Sequence, residues 1–252
     1  MSRTIPSERL WELEQRYRGS FDVEPLSYGT VGDLADSVDH LGGLARASSD
    51  MKDMQRCWMV KAILGTVEPG GRLVEIGAGE PLVADLLSRL GYQVTIVDPY
   101  DGSGQGPREF DEFSGSHPDL TFIRERFPPS GGLEGQYAGV YSISVLEHIP
   151  LDALGGVISA ATDVLAPGGA SIHAVDHVLA GWGAEPHLER LEEIVRGSGL
   201  PVERLHEVIR RLESDPETYF VSAEAHERWR GAIPYESYPM RRVCSVGVLS
   251  RN

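Results

Sequence analysis

The residues of this chain best suited to chemistry sit in one short stretch, Glu75-Ile76-Gly77-Ala78-Gly79-Glu80-Pro81. Glycine has no Cβ, so a loop built on Gly77 and Gly79 can turn sharply and let a ligand approach its backbone. Asp98 follows 19 positions after Gly79. A carboxylate at that distance can accept hydrogen bonds from both hydroxyls of a ribose. Loop and carboxylate together describe a crevice for a nucleoside. A dinucleotide site shares this outline but needs a third glycine three residues after the second, and Leu82 stands there. Glu75 and Glu80 also flank the glycines, where they would repel a pyrophosphate and suit a ligand carrying positive charge. The loop therefore favours a cationic nucleoside.

A second group of chemically capable residues comes later, in Glu147-His148 and Asp176-His177. His148 could act as a general base, because a neutral imidazole can take a proton near pH 7. The structural alternative, in which the Glu147-His148 pair simply ends a strand, is preferred, since group transfer can rest on alignment alone. Glu147, His148, Asp176 and His177 could hold a divalent cation if they met, but no tight ligand spacing supports a metal, and none is expected. On an alternating strand His173 points away from Asp176, which makes it structural. His177 is the better candidate for touching substrate.

These residues need elements to position them. A helix is expected after Pro6, capped by Ser7, with Leu10, Leu13 and Tyr17 at helical period and Gly19 ending it. Trp11 and Tyr17 are expected to pack inward, while Arg56, Trp58, Phe21 and Tyr28 could contribute to a lid. Residues 20–50, rich in Gly, Ser and Asp, read as irregular with short helical pieces. A helix over 51–66 follows. From residue 72 apolar strands alternate with helices: strands at 73–76, 93–97, 120–123, 139–145 and 171–175, and helices at 81–90 and 151–165. That alternation predicts a parallel sheet covered on both faces. Helices at 186–196 and 201–213 follow, then a final strand at 243–249, paired with a segment near Tyr219-Phe220-Val221.

With these segments in place, the sequence resembles the class I S-adenosylmethionine-dependent methyltransferases. Four segments in order carry the resemblance: the loop Glu75–Pro81, Val97-Asp98, Tyr141 to Pro150, and Leu165-Ala166-Pro167-Gly168-Gly169. They span about residues 55–178. The resemblance implies a Rossmann-like α/β fold, doubly wound, with a seven-stranded, mostly parallel sheet. Its last strand would run antiparallel between its neighbours. It implies S-adenosylmethionine as cofactor, with Glu75, Gly77, Ala78, Gly79, Glu80 and Pro81 around the methionine end. Asp98 would take the ribose hydroxyls, Pro99 would lie beside the adenine, and Ser144 and Val145 under the cofactor. An acidic residue near the adenine amine has an ambiguous match among Arg124, Glu125 and Arg126, of which Glu125 is favoured. The expected reaction is direct in-line transfer of a methyl group to an oxygen or nitrogen of a small molecule.

Composition narrows the partners. The 38 Asp and Glu against 23 Lys and Arg give a net charge of −15. That balance disfavours nucleic acid and anionic lipid, which need clustered cations. Residues 1–50 are expected to form a cap segment and 51–252 the methyltransferase domain, with 179–240 partly an insertion that selects the acceptor. Trp229 and Tyr235 to Pro239 could line that pocket. Two cysteines, no signal-like apolar leader and no span of roughly 20 apolar residues predict a reduced, cytoplasmic protein. Two rival readings remain. One is methylation of a protein or nucleic acid, the latter through Arg204, Arg210, Arg211, Arg228, Arg230, Arg241 and Arg242. The other is a non-catalytic module that binds the cofactor without turnover.

Overall fold

The computed structural model describes residues 5–45, 51–103, 106–179, 184–221, 227 and 243–252. A 3-10 turn at Ser7–Arg9 leads into α1 (Leu10–Tyr17), β1 (Leu26–Tyr28), α2 (Val31–His40) and α3 (Met51–Thr66). The alternating part runs β2 (Arg72–Ile76), α4 (Leu82–Arg89), β3 (Gln93–Val97), α5 (Phe110–Ser116), β4 (Thr121–Ile123), β5 (Tyr137–Ile143), α6 (Leu151–Asp163) and β6 (Leu165–Val178). Helices α7 (Ala184–Gly197) and α8 (Val202–Ser214) and strand β7 (Val243–Arg251) follow.

The seven strands form one sheet in the order β1-β7-β6-β5-β2-β3-β4. Strands β6, β5, β2, β3 and β4 are mutually parallel. β7 runs antiparallel between β6 and β1, as expected of the last strand. The outer neighbour differs from the expectation. It is Leu26–Tyr28, from the segment read as an irregular cap, with Leu26 opposite Val248. Residues 219–221 form no strand: the Val221 N–H bonds to the Val243 carbonyl, and the Tyr219 N–H to the Gly29 carbonyl. Three residues suffice for β1 because Leu26 buries itself against the β7 side of the core.

Helix α3 is the central support of one face. Met59, Val60, Ala62, Ile63 and Leu64 are fully buried against Leu73, Tyr141, Ile172 and Ala174 of the sheet. Each large apolar side chain buried this way contributes about 1.5–3 kcal/mol. The other face carries α6, α7 and α8. Leu205, Val208 and Leu212 recur at helical spacing on the buried side of α8.

The N-terminal helices are pinned by one buried cation. Lys61 Nζ lies 2.5 Å from Asp36 Oδ2 and 3.0 Å from Ser37 Oγ, and 5.5 Å from the Tyr17 ring centre. The Tyr17 hydroxyl donates to the same Asp36 oxygen at 2.8 Å. Tyr17 therefore packs inward as expected, but Trp11 does not: it is 67% exposed. Leu10, Leu13 and Tyr17 take the inner face of α1, and Trp11 falls on the outer one. Ser7 makes no helix cap either, since its Oγ accepts from Arg89 Nη2 at 3.3 Å.

Candidate active site

The glycine loop leaves β2 on the side of the sheet ends that also carries the C-termini of β3, β5 and β6. Gly77 and Gly79 both have left-handed backbone, with φ of 68° and 57°. A Cβ on Gly77 would stand 2.8 Å from Val145 Cγ2, so the loop packs directly against the turn after β5. Asp98, 8% exposed at the end of β3, holds the loop's far side. Its Oδ2 accepts the Gly79 N–H at 3.1 Å, and its Oδ1 accepts the Tyr100 N–H at 2.8 Å. The Tyr100 hydroxyl returns a bond to the Gly79 carbonyl at 3.1 Å. Each carboxylate oxygen has a second lone pair, so Asp98 can still accept from a ligand.

Glu75 is buried at the end of β2 and accepts the Tyr141 hydroxyl at 3.0 Å. Burial pushes its carboxyl up to about 7, and the Asp98 charge adds to this. The Tyr141 bond and the Arg56 and Lys52 charges pull the other way. Near neutral pH a cation beside Glu75 would favour its ionised form. Glu80 is exposed, Pro81 is buried at the start of α4, and Ala78 and Pro99 are half-buried. Glu125 accepts the Ser130 N–H at 2.7 Å, which holds its carboxyl below the usual range.

At the end of β5, Ser144 adopts φ of 51°, a conformation rare for a residue with a Cβ and common at functional sites. Its Oγ lies 2.7 Å from Gln55 Oε1 and 3.1 Å from Asp176 Oδ1. Gln55 Nε2 donates to the same Asp176 oxygen at 2.8 Å. The Asp176 N–H donates to Glu147 Oε1 at 3.0 Å. His148 sits exposed in the 3-10 turn Leu146–His148, held below the ordinary imidazole range by desolvation first.

His177 takes a different position from the one expected. It is 2% exposed, on the face of β6 turned toward α6 to α8, and burial brings it down to about 4. Alternation along β6 places it with His173 and Val175, away from Asp176. The four residues weighed as metal ligands therefore split between two faces, and no metal-binding cluster forms among the described residues. His173 is structural: buried between Ser142 Oγ at 2.8 Å and Ser171 Oγ at 2.7 Å, it is lowered to about 4.

Gln55, Tyr100 and Tyr141 were not singled out from the sequence. A polar residue on an apolar helix face must find a partner, and Gln55 follows Met51 by one turn on the buried side of α3. That was its one readable signal. Of the lid candidates, Arg56 pairs with Asp53 at 2.8 Å. Trp58 lies against the open face of Gly247 in β7, where a Cβ would collide with its ring. Trp229, Tyr235 to Pro239, Arg228, Arg230, Arg241 and Arg242 lie outside the described residues.

The fold is a mostly parallel α/β sheet with a glycine loop and carboxylates at its strand ends, and comparison with known proteins narrows its class. The model of the methyltransferase domain family matches residues 55–235, and the chain belongs to that family. It is therefore a methyltransferase-domain protein. No curated protein matches the sequence. Among solved structures it is similar to the 1,6-didemethyltoxoflavin-N1-methyltransferase of Burkholderia thailandensis, bound to 1,6-didemethyltoxoflavin and S-adenosylhomocysteine. Identity there is 16%, over 99% of this chain and 91% of that one, with a TM-score of 0.49. It is also similar to the N-methyltransferase NodS of Bradyrhizobium japonicum, at 13% identity, 87% and 98% coverage and a TM-score of 0.46. A methyltransferase of Mesorhizobium loti matches at 16% identity, 79% and 98% coverage and a TM-score of 0.46. No helix among the described residues is long and apolar enough to cross a membrane.

Proposed function

We propose that this enzyme methylates a nitrogen or oxygen of a small molecule. The observation that carries the reading is the row of polar groups along the strand ends, in the order Asp98, Glu75, Ser144 and Asp176 on β3, β2, β5 and β6. A nucleoside held at one end of that row leaves room for an acceptor at the other. The left-handed glycines keep side chains out of the loop, and the donor and acceptor chemistry of Glu75 and Asp98 suits S-adenosylmethionine. When bound, that cofactor supplies a methyl group made electrophilic by its sulfonium.

The chain's own residues supply binding, orientation and exclusion of water. Glu75 and the loop 77–79 hold the methionine end, with Glu80 and Pro81 at the helix start. Asp98 accepts from the ribose, Pro99 and Glu125 border the adenine, and Ser144 and Val145 form the floor. His148, exposed beside Glu147, is the candidate base if the acceptor must lose a proton. His177 would need to turn out of the core to do so. The charge of −15 supports a small acceptor over a nucleic acid.

The test is incubation with methyl-tritiated S-adenosylmethionine and a cell extract split by ultrafiltration. Label in the low-molecular-weight fraction, with S-adenosylhomocysteine formed, is the expected result. Label confined to protein or nucleic acid would refute the small-molecule assignment. Absence of any S-adenosylhomocysteine would favour a binding module without turnover.

A further inference from the structure

The ends of β5 and β6 carry polar groups, Asp176 and Glu147, that the cofactor assignments leave unused. Gln55, wholly buried, and Ser144, held at φ of 51° with its N–H bonded to the Ala174 carbonyl, both converge on Oδ1 of Asp176. Asp176 Oδ2 makes no hydrogen bond among the described residues, and Asp176 is only half-buried. Beneath it lies Glu147, 5% exposed, whose Oε1 accepts the Asp176 N–H. Its Oε2 is buried and has no hydrogen-bond partner among the described residues. A buried carboxyl oxygen in that state carries an unrecovered desolvation cost, which a ligand bringing a donor would remove. Burial first, then the Asp176 charge, raises Glu147. A ligand cation beside the pair would favour the ionised form of Glu147.

We propose that Asp176 and Glu147, positioned by Gln55 and Ser144, form the acceptor subsite and select a basic amine, making this chain an N-methyltransferase for cationic small molecules. The inference rests on the methyl-transfer reading above and names its substrate class. In the sheet order β6-β5-β2-β3, the pair lies on the far side of Glu75 from Asp98, where an acceptor must sit.

The step balances as follows. An ammonium group passes one proton to the Asp176 carboxylate, and the freed nitrogen lone pair forms the new N–C bond. The S–C bond breaks with its electron pair left on sulfur, so the positive charge moves from sulfur to the methylated nitrogen. Asp176 then returns its proton to water. Other charged or titratable groups acting on the pair and on His148 are Lys52 on α3, His148 in the turn after β5, and His187 and Arg190 on α7. Lys52 makes no ion pair among the described residues.

The test uses the full chain saturated with S-adenosylhomocysteine and titrated calorimetrically with n-butylammonium and with n-butanol. Matched amines, alcohols and carboxylic acids are then assayed for turnover. Butylammonium should bind at least tenfold tighter than butanol, and only amines should turn over. Asp176→Asn and Glu147→Gln should each lose that preference while still binding S-adenosylhomocysteine. Equal binding of butanol and butylammonium, or turnover of alcohols but not amines, would overturn the amine assignment and leave methyl transfer standing. Failure of S-adenosylhomocysteine to bind would overturn both.

Discussion

Replacing Asp98 by Asn separates the ligand's share of this carboxylate from the fold's share. Both oxygens already accept backbone N–H groups, from Gly79 and Tyr100. An amide keeps one oxygen acceptor and turns an NH2 toward the other N–H, so one charge-assisted bond is lost. Such a bond is worth about 1.5–3 kcal/mol. Taking about 2 kcal/mol, the melting temperature of a domain this size should fall by roughly 4–8 °C. If the ribose hydroxyls also bond to the carboxylate, removing its charge costs the complex a further similar amount, about thirtyfold in affinity. Calorimetry with S-adenosylhomocysteine, alongside thermal melts of the same preparations, measures both. Asp101→Ala is the control, since Asp101 is exposed and its partners, Arg126 and the Ser103 N–H, are exposed too. A lowered melting point with affinity within threefold of the wild type would refute the ribose assignment. No change in either would refute the loop-holding role as well.

Glu75 makes the ligand-free protein sensitive to pH. Its folded carboxyl is raised from the ordinary 4.5 to about 7 by burial, so the folded state holds the proton more tightly than the unfolded one. The stabilisation is present below pH 4.5 and is lost as pH rises to 7, by about 3 kcal/mol. S-adenosylhomocysteine, which carries an ammonium group, should bind more tightly at pH 8 than at pH 6, and Glu75→Gln should flatten that slope in calorimetric titrations. Gly77→Ala combines a left-handed backbone, costing about 1–2 kcal/mol, with a Cβ 2.8 Å from Val145. Ligand affinity should fall more than tenfold, and a second change, Val145→Ala, should restore part of it in the same assay. Lys61→Met should cost about 2 kcal/mol by melting, less than a fully buried pair because Asp36 keeps water contact. Its cofactor affinity should not change.

Strands β2 and β3 were legible almost to the residue because each is a short apolar run followed by glycine or aspartate. Strand β5 runs from Tyr137 to Ile143, two residues nearer the N-terminus than its apolar pattern predicts. Ser144 and Val145 look like strand residues, but the chain leaves the extended conformation at Ser144. The glycine loop was visible because its demands fall on residue types, glycine and carboxylate, at a fixed spacing. The N-terminal region was not. β1 has three residues, and its pairing with β7 is set by tertiary packing rather than local pattern. The start of α2 did leave a signal, since Thr30 and Asp33 form a reciprocal cap of the kind a T-x-x-D spacing announces. Tyr100 and Tyr141 were hidden because an apolar strand end and a core tyrosine look alike until their hydroxyls are placed.

The pairing of Leu26 with Val248 joins residues about 220 positions apart. Closing a loop of that length costs about 5 kcal/mol in chain entropy, far more than three residues of strand can return alone. The β1 seam can therefore form only after β5, β6 and β7 have assembled. Until then the outer edge of β7 presents unpaired backbone along an apolar strand, an invitation to another chain. The segment that supplies β1 thus acts as an edge guard, and conditions that loosen it should promote self-association before they unfold the parallel strands.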